Sequence, residues 1–230
     1  MQSVVDIVYV ESDKWRNEYV LNDMGAIWRG TTRSSSPCYW NFGQFEESVL
    51  DATLKVLMKD KRIQVTKGEQ KMRDPVWLGR ILSAAANSSD DNGILMGNWS
   101  GDYSGGASPV TWNGSVKIIQ QFIETGEPVK YGQCWVFSGL LTTLMRAIGI
   151  PCRSVTNFAS AHDTDNTMTI DAYVDENNED IEEHNSDSCW NFHVWNEIFI
   201  TGKGHWPAKY AGWAAIDATP QVRIILFFIQ

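Results

Sequence analysis

The sequence has little with which to hold nucleic acid, a lipid bilayer or a zinc ion. Its 19 Lys and Arg are scattered and outnumbered by 28 Asp and Glu, for a formal net charge of -9. Without a basic block there is no surface to release counterions from a phosphate backbone, so nucleic acid is not an expected partner. Only four Cys occur, at 38, 134, 152 and 189. They show no CxxC or paired spacing, which excludes a zinc motif and a disulfide framework and points to a reducing, cytoplasmic setting. Long apolar runs are missing too. Ile224–Ile229 is far shorter than the ~20 residues a bilayer requires, and Val4–Val10 is broken by Asp6 and lacks the basic flank of a leader. No membrane span is expected, and any release outside the cell would proceed without a signal peptide. Internal repeats and low-complexity linkers are absent as well.

What is present is enough apolar material, 43% of 230 residues, for one sizeable core, with 11 Trp to line clefts or fill it. The first half reads as helices. Phe45–Met58 repeats apolar residues at helical spacing. Asp74-Pro75 is an N-cap followed by Pro at the first helical position, which predicts a helix from Val76 to about Ala86. Ser115–Thr125 repeats the pattern and Gly126 stops it. The longest apolar stretch starts at Tyr131-Gly132-Gln133-Cys134. From Cys134 to Ile148 there is no Pro and one Gly, so a buried helix is expected there, ended by Gly149 and Pro151. Gly132 is read as a flexible turn into it. Short strands are expected at Val4–Val10 and Glu18–Leu21, with a turn at Asn22–Gly25 leading into a strand over Ala26–Thr31. Further β-like stretches are Ser154–Ala159, Thr167–Val174, Asn191–Ile200 and Gly212–Ala218. Helices followed by strands predict an α+β fold, with a central helix packed on an antiparallel sheet.

Three residues carry the chemistry. Cys134 falls at a helix N-terminus, where free N–H groups and the macrodipole favour a thiolate nucleophile. A thiolate needs a base, and the base needs an orienting group. Of the four His, those at 162, 184 and 205 read as loop residues, whereas His193 lies on a strand among apolar neighbours. Asp217 ends another buried strand, where a lone carboxylate would cost several kcal/mol and an imidazolium partner would offset it.

The motifs around these residues resemble the eukaryotic calcium-dependent transglutaminases from about Tyr19 to Gln221, with an invertebrate cast to the N-terminal wording. YGQCWVF (131–137), GIPCR (149–153), WNFHVWNE (190–197) and DATPQ (217–221) carry the likeness. So do EYVLND (18–23), WNFGQFE (40–46) and DDNGIL (90–95). The resemblance implies a papain-like core with Cys134 as nucleophile, His193 as base and then acid, and Asp217 as its orienter. The substrates it implies are protein-bound Gln and a Lys side chain or other primary amine, joined through a Cys thioester into an isopeptide cross-link. By family position Trp99 donates its indole N–H to the oxyanion, and Trp190 forms a wall of the amine tunnel.

The resemblance also implies bound Ca2+. One ligand set would be the Ala84 carbonyl, Asn87, Ser89 and Asp91. A second would be Asp163, Asp165, Thr167 and Thr169, completed by Asp187; both regions cluster the hard oxygens calcium prefers. Ser89 and Thr167 stand where the family more often has Asn. The acidic run from Asp175 to Asp187 otherwise reads as a solvated loop. In the family more core and two β-barrels follow the position of Gln221, and a β-sandwich normally comes first. Residues 1–221 are therefore expected to be a C-terminally incomplete catalytic core, with 222–230 a divergent apolar tail. Two other readings stay open: an inactive or regulatory calcium-binding fragment, and a papain-like cysteine protease. Against the protease stands the gap of 59 residues from Cys134 to His193, shorter than that pattern.

Overall fold

The helix over Cys134–Ala147 lies at the centre of the molecule, with every residue from Cys134 to Arg146 buried. The computed structural model describes residues 6–61, 63, 71–165, 167–203 and 206–220, without the side chains of 71, 90 and 91. Within it the long helices are α1 (Glu47–Lys59), α2 (Pro75–Ala86), α3 (Val116–Thr125) and α4 (Cys134–Ala147). Strands β1 (Met24–Gly30) and β2 (Ser35–Asn41) form a hairpin, and β3 (Leu95–Gly97) and β4 (Val129–Gly132) a short parallel pair. Strands β5 (Cys152–His162), β6 (Ser188–Ile200) and β7 (Gly212–Ile216) make an antiparallel sheet in the order β5-β6-β7. The fold is α+β, with α4 packed on β5 and β6 and flanked by α1 and α2. No helix among the described residues is long and apolar enough to cross a membrane.

Local chemistry sets the helix ends where the sequence puts them. Asp74 caps α2 by accepting from the N–H groups of Val76 and Trp77. Gly126 closes α3 at φ 70°, and Gly149, just past α4, has φ 84°, the left-handed conformation glycine adopts without penalty.

A helix buried on all sides must satisfy its polar side chains from its neighbours. Ser138 donates to Ser154 at 2.7 Å, and the Asn196 amide of β6 donates to the Ser138 carbonyl and to Thr142. On another face Trp40 Nε1 donates to Ser115 Oγ at 2.9 Å, and Thr143 Oγ1 lies 2.8 Å from the same hydroxyl. Arg146 donates to the Cys152 and Asn22 carbonyls and stacks over Phe42 at 4.6 Å. Burial lowers its pKa from the usual arginine value.

Four expectations fail for identifiable reasons. Glu18–Leu21 lies in a π-helical turn, Asn17–Leu21, whose closing carbonyls are claimed by distant groups: Gln44 donates to Val20 and Asn22, and Arg146 to Asn22. Residues 6–8 form a turn closed by Tyr9 N–H on the Asp6 carbonyl, whereas Val4 and Val5 lie outside the described residues. The turn expected at Asn22–Gly25 does not reach Gly25, because β1 begins at Met24 and pairs with the segment beyond it, Met24 opposite Asn41 and Gly30 opposite Ser35. Thr167–Val174 is not a strand, because its N–H groups are taken by side-chain oxygens, Met168 by Asp163 and Asp171 by Asp187 among them. The predicted apolar tail, 222–230, lies outside the described residues.

Gly139 is where the packing of α4 is tightest. A Cβ there would come within 2.4 Å of the Trp40 indole. Trp40 is fully buried and cannot retreat. Gly139→Ala should therefore lower unfolding free energy by about 1–3 kcal/mol, the usual cost of overpacking, read from the urea midpoint; an unchanged midpoint would show that the indole moves freely.

Candidate active site

The start of α4 receives its partners from three directions. Gln133 precedes the helix and donates through Nε2 to the Asn98 carbonyl at 2.9 Å and the Tyr103 hydroxyl at 3.1 Å. Asn98 N–H returns a bond to the Gly132 carbonyl at 3.1 Å. These contacts dock the 98–103 loop on the helix N-terminus, and Trp99 stacks on Phe137 with centroids 6.5 Å apart and planes 6° apart. Gly132 does not act as the flexible turn predicted for it: it ends β4, and a Cβ there would meet Leu95 at 2.4 Å. Its role is close approach between the two parallel strands.

Strand β6 supplies His193, and the residue after β7 supplies Asp217. His193 Nε2 lies 2.7 Å from Asp217 Oδ2, while Asp217 Oδ1 accepts from Thr219 N–H at 2.8 Å. With Nε2 committed to the carboxylate, the Cys134 thiol can meet only Nδ1. That atom is buried without an aligned hydrogen bond, so the contact is loose, as catalytic contacts often are before substrate arrives. Cys134 itself is buried at 3% exposure.

Burial alone would push the His193 pKa down. The hydrogen bond to Asp217 reverses this, aided by the nearby Cys134 sulfur and the negative charge of both partners, and raises it from the ordinary 6.5 to about 9. Cys152 is the contrast. It is wholly buried, which pushes its thiol up to about 11 and makes it a poor nucleophile. All four cysteines are free.

Trp190 joins the site from two residues past the start of β6. Its ring stands perpendicular to His193, 5.8 Å away at 89°, and stacks on His162 at 4.4 Å and 27°. Sequence reasoning placed His162 in a loop; it is the last residue of β5. The signal was period-two alternation beyond Ala159, since Ser160 and His162 share a face and Ser160 is opposite Trp190.

The two oxygen-rich regions differ. Asp163, Asp165 and Asp187 place ligand oxygens within 4.8 Å of one another, the span across an ion held at about 2.4 Å by each. Asp187 is turned inward from the end of the acidic run. It accepts from Thr164 N–H at 2.7 Å and Asp171 N–H at 3.1 Å, and these bonds, the Thr164 one foremost, lower its pKa. The Thr167 and Thr169 hydroxyls lie 2.8 Å apart, and both donate to Asp171, an acidic residue the sequence reading passed over. At the other region Asn87 caps a short helical turn, accepting from Ser89 N–H at 2.9 Å. The Ala84 carbonyl accepts from Asn87 N–H, Ser89 is exposed, and the Asp91 side chain lies outside the described residues.

The raised His193 pKa has a measurable sign. The folded chain keeps this proton up to pH about 9, the unfolded chain only to about 6.5. The associated stability, roughly 3 kcal/mol, is complete below pH 6.5 and lost as pH rises towards 9. The His193 Cε1–H NMR resonance should titrate near 9, and in Asp217→Asn both the titration point and the alkaline loss of stability should move down. A midpoint near 6.5 in the unaltered chain would contradict this.

The chain is similar in sequence and fold to known proteins. A profile described as the Transglutaminase-like superfamily matches residues 99–218. Annulin of Schistocerca americana is 50% identical over 219 residues, covering 94% of this chain and 28% of annulin. Human protein-glutamine gamma-glutamyltransferases K and 5 are 50% and 47% identical, each over 94% of this chain and over 26% and 30% of their own lengths. The crystal structure of red sea bream transglutaminase superimposes with a TM-score of 0.85 at 40% identity, over 94% of this chain and 33% of that one. The chain thus spans less than a third of the curated relatives it matches. With more than half of its 230 residues matched by the profile, it belongs to the transglutaminase-like superfamily.

Proposed function

We propose that the chain carries the catalytic core of a calcium-dependent protein-glutamine γ-glutamyltransferase, which joins protein-bound Gln to Lys or another primary amine. The observation that carries this is His193, held on Asp217 through Nε2 at 2.7 Å with Nδ1 left to face Cys134. The Cys134 thiolate attacks the γ-carboxamide carbon of Gln and a C–S bond forms. The C–N bond then breaks, and His193 gives its proton to the departing ammonia. In the second half the amine nitrogen attacks the thioester carbon, its surplus proton passes to His193, and the C–S bond breaks to return the thiolate. Water in place of the amine would give Glu. Both halves pass through an oxyanion. An indole donates but cannot accept, which suits Trp99 to stabilise it alongside the Cys134 N–H.

A cysteine protease could use the same three residues. The amine reading is favoured by the indoles, Trp99 over the first turn of α4 and Trp190 against His193, because apolar walls exclude the competing water. Asp163, Asp165 and Asp187 fit the oxygen preference of Ca2+ and would hold it, with Thr167 and Thr169 beside them; Ala84, Asn87, Ser89 and Asp91 would form a second site. The ion would supply charge to hold the 163–187 segment together. A reduced Cys134 suits a cytoplasmic setting.

Calcium-dependent incorporation of a fluorescent amine into casein tests the reaction. Cys134→Ala should abolish it, and Trp99→Phe should lower turnover by about 10²–10³, the usual loss of one oxyanion donor. Incorporation that survives Cys134→Ala would overturn the proposal.

Calcium should also raise the melting temperature by mass action, with about 2.7 kcal/mol gained at a hundred times the dissociation constant of one site. Asp165→Asn should weaken binding in calorimetry. An identical isotherm for the variant would remove the 163–187 site.

A further inference from the structure

Trp190 occupies the approach to the catalytic imidazole, yet nothing in β6 alone fixes its ring. An indole on a strand has several rotamers, and one that swings aside would admit water to the thioester. Its ring is held instead from the neighbouring strand. The β5–β6 register pairs Ser160 with Trp190 and His162 with Ser188, which sets His162 diagonally beside Trp190 on the same face. The two rings lie nearly parallel, 4.4 Å apart at 27°, while Trp190 stands perpendicular to His193 at 5.8 Å and 89°. Ser160 beneath is small and only 5% exposed, leaving room for the indole to lie flat. One ring therefore buttresses another that stands perpendicular against His193.

We infer that His162 is a positioning residue that holds Trp190 against His193 and so sets how the thioester divides between amine and water. This rests on the transferase reading above. His162 touches neither the reacting atoms nor Cys134 in any described contact; it acts through the indole. The ring is what matters, since the contact is face to face, and no charge on the imidazole is required. A planar replacement should therefore serve, whereas a small one should not.

The test measures, in one reaction on a Gln peptide with calcium and a primary amine, the ratio of amine incorporated to Glu formed. His162→Ala should lower this ratio by about two- to tenfold, the range set by losing one aromatic pair, and raise the KM for the amine. His162→Phe should restore both. An unchanged ratio in His162→Ala, or a His162→Phe variant as impaired as it, would overturn the inference. A second readout is independent of activity. With 5-fluorotryptophan incorporated, the 19F resonance assigned to Trp190 by Trp190→Phe should shift or broaden in His162→Ala and recover in His162→Phe. A resonance unmoved in His162→Ala would overturn the buttress. If the unaltered chain releases no ammonia from the peptide, the transferase reading fails, and the 19F spectra still decide whether His162 positions the ring.

Discussion

Burial of α4 from Cys134 to Arg146 is the constraint from which the other features follow. A helix exposed to no solvent must have its whole circumference covered and each polar group answered from outside. The covering takes the β5-β6-β7 sheet on one side and α1 and α2 on others. The answering takes Ser115, Ser154, Asn196 and the carbonyls of Asn22 and Cys152, which together bond Ser138, Thr142, Thr143 and Arg146. Because these partners come from segments far apart in sequence, satisfying one helix fixes the register of several others. Asn196 is the clearest case. It bonds α4 and sits three residues from His193, so the bond that seats β6 on the helix also places the base near the helix N-terminus.

That placement matters because the N-terminus of α4 is the one end of the buried helix with unpaired N–H groups and a favourable field for negative charge. Asp217 reaches it by the same logic: β7 pairs with β6 from Asn196–Ile216 to Ile200–Gly212, and the carboxylate follows directly on the last paired residue. Regular elements thus hold Cys134 and His193, and Asp217 follows directly on one. Trp99 comes on a loop pinned by Gln133, and Trp190 on the outer part of β6.

Beside the site, the segment from Asp163 to Asp187 follows a different principle. Its backbone is organised by carboxylates that accept N–H bonds from Asp165, Thr167, Met168 and Asp171. An apolar core plays little part in it. Met168 is 73% exposed at φ 66°, a conformation that packing does not enforce. Because His162, the buttress of Trp190, is joined directly to Asp163, the acidic segment and the wall of the site share one point of attachment.

The sequence by itself determined the features whose causes are local. Asp74-Pro75 set the start of α2, Gly126 and Gly149 set the ends of α3 and α4, and the unbroken apolar run made α4 a buried helix; capping, left-handed glycine and periodicity act within a few residues. The motifs also named Cys134, His193 and Asp217 as a set. Tertiary structure alone decided what depends on distant partners. Glu18–Leu21 has strand-like residues, but Gln44 takes the Val20 carbonyl and, with Arg146, that of Asn22, and the segment closes as a π-helical turn. Thr167–Val174 has β-forming residues, but nearby carboxylates take the N–H groups a ladder would need. Gly132 looked like a turn until Leu95 of the parallel partner strand explained it. His162 looked like a loop residue because only the β5–β6 register brings it onto Trp190. For Glu18–Leu21, Gly132 and His162 the deciding atom lies where no window of sequence reaches, and a hydrogen bond or ring contact across the fold outweighs the small free-energy preferences that local patterns express.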